Sequence, residues 1–288
     1  MHHIHPNAII LAAGTASRFV PLSEEIPKGL IEVKGEPLIE RQIKQLHEAG
    51  ISDITMVVGY MAEKFEYLRE KYGVELVLNE DFARYNNTSS MIRILDRLQN
   101  SYILTSDNYY PENIFLNDDL SDSYYSALFA EGDTGEYCLY TDKEGYITGV
   151  QIGGKDSWYM YGPVFFTSDF SKKFAELLRL EYDSPEVRNG YWEDLYIKHI
   201  SSLPMKIRKR GLEEMKEFDS LDELREFDSS YIQNTRSSIL ASVAQQLNCK
   251  ESDLSGFKNR RPVNGIHFEF SACGSLYEYK DGVISSLL

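Results

Sequence analysis

Ala8-Ile9-Ile10-Leu11-Ala12-Ala13-Gly14-Thr15-Ala16-Ser17-Arg18-Phe19, followed by Pro27-Lys28, joins a short apolar run to a small-residue loop and two cations. The run 8–13 is continuous rather than alternating, as in a parallel strand buried on both faces, and it stops at Gly14. Small side chains after the strand let backbone N–H groups approach an anion closely. Arg18 adds a forked set of donors and Lys28 a mobile point charge, a combination that suits a polyphosphate. The glycine spacing fits neither a Walker A loop nor a dinucleotide fingerprint. A plain strand–turn–strand with two surface cations is the competing reading, and the combined spacing weighs against it.

Outward from this stretch, the first 110 residues alternate strand and helix patterns. Leu38, Ile39, Ile43 and Leu46 share one face of a helix over 38–49, which Gly50 ends. Strands are predicted at 54–58, 74–78 and 102–105, with helices at 62–72 and 88–98. Repeated strand–helix–strand units predict an α/β fold: a doubly wound, mostly parallel, Rossmann-like sheet with helices on both faces. From 124 the pattern changes to short strands, with a turn at Asp142-Lys143-Glu144-Gly145 between 137–141 and 146–152, and another strand at 158–167. Helices at 169–180 and 191–200, a strand at 205–209 and a short helix at 220–228 follow. The Ser/Asn/Thr-rich stretch 229–237 reads as a boundary that closes a main domain of residues 7–228. Residues 238–288 then hold a helix (238–247) and a hairpin (about 264–270 and 275–280). This small C-terminal α+β appendage is too short to stabilise a large core alone and is expected to dock.

Charge and composition exclude several classes. Thirty basic against 45 acidic residues give a net charge of -15, which repels phosphate backbones and argues against nucleic-acid binding. An anionic nucleotide must therefore be held by a few local cations and a metal. Cys138, Cys249 and Cys273 are far apart and odd in number, which fits neither a disulfide framework nor a zinc knuckle and suggests a reducing compartment. No apolar run approaches the roughly 20 residues that span a bilayer, and the opening Met-His-His-Ile-His-Pro lacks a signal-peptide pattern. The expected setting is cytoplasmic, without membrane insertion. His2, His3 and His5 read as a frayed start rather than a metal site.

Asp107 follows the fourth strand, where an open α/β sheet places its ligand crevice. A carboxylate there suits Mg²⁺, which takes one or two protein carboxylates and completes its shell with phosphates and water. In a chain this acidic any single acid is by default a solvated surface charge, and the partnership with the phosphate loop is what singles out Asp107.

The motif L-A-A-G-x-x-S-R-F with P-K resembles the signature of the sugar-phosphate nucleotidyltransferase superfamily. Val57-Val58-Gly59-Tyr60, Phe65-x-x-Leu68-x-x-Lys71-Tyr72-Gly73-Val74, Tyr85-Asn86-Asn87, Asp107-Asn108-Tyr109 and Tyr191-Trp192-Glu193-Asp194 narrow the resemblance to the bacterial CTP:phosphocholine cytidylyltransferases, over about residues 7–228. The resemblance implies transfer of CMP from CTP to phosphocholine, giving CDP-choline and pyrophosphate by in-line attack with Mg²⁺. It implies catalytic roles for Arg18, Lys28 and Asp107, and a nucleotide site of Leu11, Ala12, Ala13, Gly14, Arg18, Lys28, Gly59, Tyr60, Asn87 and Ser89. It also implies a second metal carboxylate at Glu193, with the adjacent Asp194 as its rival. Ala16 departs from the family, which usually has glycine there.

Under this reading no general base is required, because the attacking phosphate oxygen is already ionised at neutral pH; positioning and charge stabilisation carry such a reaction. The 20 tyrosines also gain a use, since a quaternary ammonium is recognised by π-faces and nearby carboxylates. Tyr85, Tyr109, Trp158, Tyr191 and Trp192 are the expected walls, with Tyr110, Tyr159 and Tyr161 also in view; packing is the plain alternative for each. His47, His199 and His267 have no partner at a telling spacing and read as structural. In the tail, Leu247 to Leu254 and Asn264 to Phe270 resemble the opening of a choline-kinase N-lobe, without its catalytic loop. Competing readings are the same chemistry on phosphoethanolamine, 2-aminoethylphosphonate or a sugar 1-phosphate, or a non-catalytic nucleotide-binding module.

Overall fold

In a computed structural model, residues 5–260 and 265–287 are described. His2 and His3, and Asn264 at the start of the expected hairpin, lie outside them. The chain forms two compact units: residues up to Gly14 with Arg41–Lys216, and Thr15–Glu40 with Glu217–Leu288.

The first unit is built on a seven-stranded sheet. Its strands are β1 (Asn7–Ala12), β2 (Ile54–Val58), β3 (Glu75–Leu78), β4 (Ser101–Thr105), β5 (Tyr124–Thr141), β6 (Ile147–Phe166) and β7 (Lys206–Lys209), in the order β3-β2-β1-β4-β6-β5-β7. The pairs β1–β2, β1–β4, β2–β3 and β5–β7 are parallel; β6 alone runs the other way, between β4 and β5. The mostly parallel Rossmann-like sheet expected from the sequence is thus present. All six residues of β1 are buried, which its uninterrupted apolar run required of a central strand. Helices are α1 (Leu38–Glu48, whose first residues belong to the other unit), α2 (Tyr67–Tyr72), α3 (Thr88–Met91), α4 (Ser168–Glu181), α5 (Pro185–Asn189) and α6 (Trp192–Lys198).

Two expectations need correction. The helices predicted at 62–72 and 88–98 are each part 3₁₀ and part α, the α portions being α2 and α3. The short strands predicted between 124 and 167 are two long ones, β5 of 18 residues and β6 of 20, paired with repeated bulges. Each bulge inserts a residue and resets which side chains face inward, so the alternation breaks into pieces that read as separate strands.

In the second unit, α7 (Leu221–Phe227), α8 (Ser230–Gln233) and α9 (Ser238–Leu247) accompany a four-stranded antiparallel sheet. Its strands are β8 (Leu254–Asn259), β9 (His267–Ala272), β10 (Ser275–Lys280) and β11 (Val283–Leu287), so the predicted tail hairpin is the middle of a larger sheet. Residues 228–238 are tied to residues 15–40 by directed bonds. The Tyr231 hydroxyl donates to the Glu32 carbonyl at 2.8 Å, the Lys34 N–H to Asp228 Oδ2 at 2.7 Å, and the Ser238 N–H to Glu25 Oε1 at 2.8 Å. The bonding residues lie within the 229–237 stretch that the sequence sets aside as a boundary, or directly on either side of it.

Candidate active site

The strand register brings the functional loops of the first unit to one edge. Leu11 pairs with Val57 and Thr105, so the segments after β1, β2 and β4 leave the sheet together. They are then laced: the Tyr60 N–H donates to Ala13 O at 3.1 Å and the Ser106 N–H to Leu11 O at 3.2 Å. A Cβ on Gly14 would meet nothing within 4 Å, so that glycine leaves open space beside the backbone. Gly59 has a packing reason instead, because a Cβ there would lie 2.7 Å from Phe82.

Asp107 sits in the turn after β4, between two carbonyls held from α1. The buried Gln42 side chain donates to Thr105 O at 3.0 Å and to Asn108 O at 2.8 Å. Gln45 and Arg41 continue the clamp onto Tyr110 O, at 2.9 and 2.8 Å. Sequence reasoning missed Gln42, although its signal was present: a glutamine inside the apolar stripe of a helix must find buried partners.

The Tyr85-Asn86-Asn87 and Tyr191-Trp192-Glu193-Asp194 motifs do meet. Asn87 accepts from the Trp192 N–H at 2.8 Å and donates to Glu193 Oε2 at 3.2 Å, while Thr88 donates to Gly190 O at 2.7 Å. Tyr125 donates to Glu193 Oε1 at 3.3 Å, and Tyr137 hydrogen-bonds Asp194. Asp194 also accepts from the Tyr191 N–H at 2.8 Å, which caps α6. Burial pushes the Glu193 carboxyl up to about 7, and among the described residues its hydrogen-bond partners are neutral. Two carboxyl groups, Glu193 and Asp194, stand among Tyr125, Tyr137 and Tyr191.

The aromatic wall is assembled differently from expectation. Trp192 is 2% exposed. Its ring stacks on Tyr125 at 5.9 Å and takes Phe166 and Phe174 edge-on at 5.4 and 5.9 Å, so the indole belongs to the core. Adjacent residues on a helix point about 100° apart, which sends Trp192 inward while Glu193 stays beside Asn87. Three other rings already carry cations of the protein: Arg41 over buried Tyr109 at 4.8 Å, Arg188 over Tyr85 at 5.9 Å, and Lys209 over Trp158 at 4.8 Å. Tyr191, 46% exposed, remains accessible. Ser89, expected to touch nucleotide, is buried, accepting from Asn79 at 2.9 Å and donating to Asn86 O at 2.8 Å. Of the three histidines expected to be structural, His47 packs edge-on against Tyr72, and His199 and His267 contact Glu181 and Glu278.

In the second unit, Arg18 and Lys28 converge on two acids the sequence reading did not single out. Arg18, 74% exposed, meets Asp219 at 2.8 Å; Lys28, only 10% exposed, meets Glu217 at 3.3 Å and Asp219 at 3.6 Å. The available signal was Glu217-Phe218-Asp219: in an extended segment, alternate residues share a side, and the intervening Phe218 is buried. Ala16, before the Ser17–Phe19 turn, has φ 47 and ψ 46. That left-handed conformation explains a glycine preference and costs an alanine roughly 1–2 kcal/mol. Ala16→Gly should raise the stability of this unit by about 0.5–1 kcal/mol, after the extra chain entropy of glycine, read as a higher urea midpoint.

The comparisons with known proteins bear on this arrangement. Residues 8–110 match the MobA-like NTP transferase domain, which defines the class as nucleotidyltransferase. Similar proteins include a choline-phosphate cytidylyltransferase of Streptococcus pneumoniae, 36% identical over 77% of this chain and 96% of that one. A 2-aminoethylphosphonate cytidylyltransferase of Lancefieldella rimae is 35% identical over 80% of this chain and 95% of the other. Among solved structures, the CTP:phosphocholine cytidylyltransferase LicC from Streptococcus pneumoniae superposes with a TM-score of 0.74 at 35% identity, covering 79% of this chain and 99% of that chain. The chain belongs to the choline-phosphate cytidylyltransferase family.

Proposed function

We propose that the chain transfers CMP from CTP to phosphocholine, releasing pyrophosphate, in the cytoplasm. The observation that carries the acceptor is the pair Glu193 and Asp194 among Tyr125, Tyr137 and Tyr191, a negative, aromatic-lined setting suited to a quaternary ammonium. Glu193, first expected to bind metal, is assigned here to the ammonium end of the acceptor. A second reading, 2-aminoethylphosphonate as acceptor, is favoured by the near-equal identity of that cytidylyltransferase. Residues 7–228 are taken as the nucleotidyltransferase region and 238–288 as an appended segment.

Mg²⁺ fits a hard carboxylate donor, which Asp107 supplies in the turn after β4; in the second unit, Glu217 and Asp219 are carboxylates of the same kind beside Arg18 and Lys28. When bound, Mg²⁺ supplies charge neutralisation for the phosphates. Arg18 and Lys28 bind the triphosphate, exchanging their carboxylate partners for phosphate oxygens. Gln42 keeps the Asp107 turn in place, and Asn87 orients Glu193. The attacking phosphate oxygen arrives ionised, so no residue needs to remove a proton.

Pyrophosphate release measured across the four NTPs and a panel of phosphocholine, phosphoethanolamine, 2-aminoethylphosphonate and glucose 1-phosphate tests this reading. CTP with phosphocholine should be fastest; a sugar phosphate in that place, or no release with CTP, overturns it. Above pH 7, where Glu193 is ionised, Glu193→Gln should raise KM for phosphocholine about tenfold, the loss of one ion–ion contact worth about 1–4 kcal/mol at close range, and leave KM for CTP in place. A shift confined to CTP would contradict the assignment.

A further inference from the structure

The cysteines stand apart in the sequence, yet the second unit brings two of them together. One ligand atom each from Cys249, Asp253 and Cys273 all lie within 4.8 Å of one another, and the two thiols are in hydrogen-bonding contact. Each residue sits on a turn whose backbone is fixed. Cys249 follows the end of α9, where Asn248 adopts φ 51 and the Cys249 N–H closes onto Ala244 O at 3.0 Å. Asp253 ends the 3₁₀ turn Glu251–Asp253 and accepts from the Lys250 N–H through Oδ2 at 2.9 Å. Cys273 is the first residue of the two-residue turn between β9 and β10, with φ 49, and Gly274 after it has φ 80.

Positive φ at both turn residues marks a type I′ hairpin, for which Asn-Gly is the preferred pair. Cysteine is a poor choice for that backbone, so its presence is explained by the thiol. None of the three residues has a part in the nucleotidyl transfer described above.

We propose that Cys249, Asp253 and Cys273 form a binding site for one thiophilic divalent cation, with Zn²⁺ the best match. Zinc bonds of about 2.3 Å to sulfur and about 2.0–2.2 Å to oxygen, set tetrahedrally, separate the ligand atoms by roughly 3.5–4 Å, inside the observed spread. Water completes the fourth position. Binding balances as Zn²⁺ plus two thiols giving a zinc dithiolate and two protons, with no redox change. The cation would join the end of α9, the 3₁₀ turn and the hairpin turn into one cross-link within this unit.

The test uses the reduced, full-length protein titrated with Co²⁺ and then Zn²⁺. One equivalent of Co²⁺ should give a thiolate-to-metal charge-transfer band that Zn²⁺ abolishes. Zn²⁺ should release two protons and shield Cys249 and Cys273 from a thiol reagent, with Cys138 already buried. Cys273→Asn installs the residue the turn prefers, so the urea midpoint should hold or rise while Zn²⁺ affinity falls at least about 100-fold, beyond the range for an outer-shell partner. Asp253→Asn keeps an acceptor for the Lys250 N–H and should weaken Zn²⁺ about tenfold. Absence of the charge-transfer band, unchanged Zn²⁺ affinity in Cys273→Asn, or peroxide closing a Cys249–Cys273 disulfide as fast with equimolar Zn²⁺ as without it would each overturn the proposal.

Discussion

Asp107→Asn should lower kcat for pyrophosphate release at least about a hundredfold, a few kcal/mol of transition-state stabilisation, while the urea midpoint stays within experimental error. The substitution is nearly isosteric, and the carbonyls on either side of the turn have partners of their own. Gln42 holds the carbonyls of Thr105 and Asn108, and the Ser106 N–H is held by Leu11. What changes is the charge offered to a hard cation, since an amide oxygen is a weaker ligand than a carboxylate. The readout is kcat/KM for CTP at saturating acceptor across a Mg²⁺ series. Near-normal turnover with an intact fold would remove Asp107 from the reaction.

Asp118→Ala should destabilise the first unit by about 3–5 kcal/mol, the usual cost of stranding buried partners of a charge. The Asp118 side chain is 3% exposed and serves four neighbours. The hydroxyls of Tyr102 and Tyr124 both donate to Oδ2, the first at 2.9 Å, and Arg208 and Arg210 lie 3.2 and 3.8 Å from Oδ1. Burial, reinforced by the Asp118 charge, pushes the Tyr102 phenol well above its ordinary range. Removing the carboxylate leaves two hydroxyls and two guanidinium groups without their common acceptor. Asp118→Asn keeps an acceptor and should cost less. The measurement is the urea midpoint at unchanged slope, and a loss below about 1 kcal/mol would show that the network relaxes around the gap.

The parallel half of the sheet was legible because β1 and β2 are buried on both faces, and burial of that kind leaves an uninterrupted apolar run. Asp107 was legible for a related reason: the end of such a strand is where the chain must turn. Side-chain direction was not. Trp192, Glu193 and Asp194 are consecutive letters, but one packs in the core, one bonds Asn87 and Tyr125, and one caps its own helix. Pairings across long separations were also hidden. Arg18 and Asp219 are 201 residues apart, and Lys28 and Glu217 are 189 apart, so no local pattern links them. The four-stranded tail sheet was half read, because β8 and β11 have exposed, mixed faces that lack clean alternation.

The ion pairs of Arg18 and Lys28 have a consequence for selectivity. These cations carry their own counter-ions, so they are not an open sink for any polyanion that drifts past. Inorganic phosphate or a bare triphosphate must displace Glu217 and Asp219 and leave both acids facing new negative charge. A triphosphate that arrives with a divalent cation offers a partner to each side, and the exchange is close to charge-neutral. Under the proposed triphosphate role, the resting pairs act as a filter against anions that come alone, at the cost of a lower affinity for nucleotide than two unscreened cations would give.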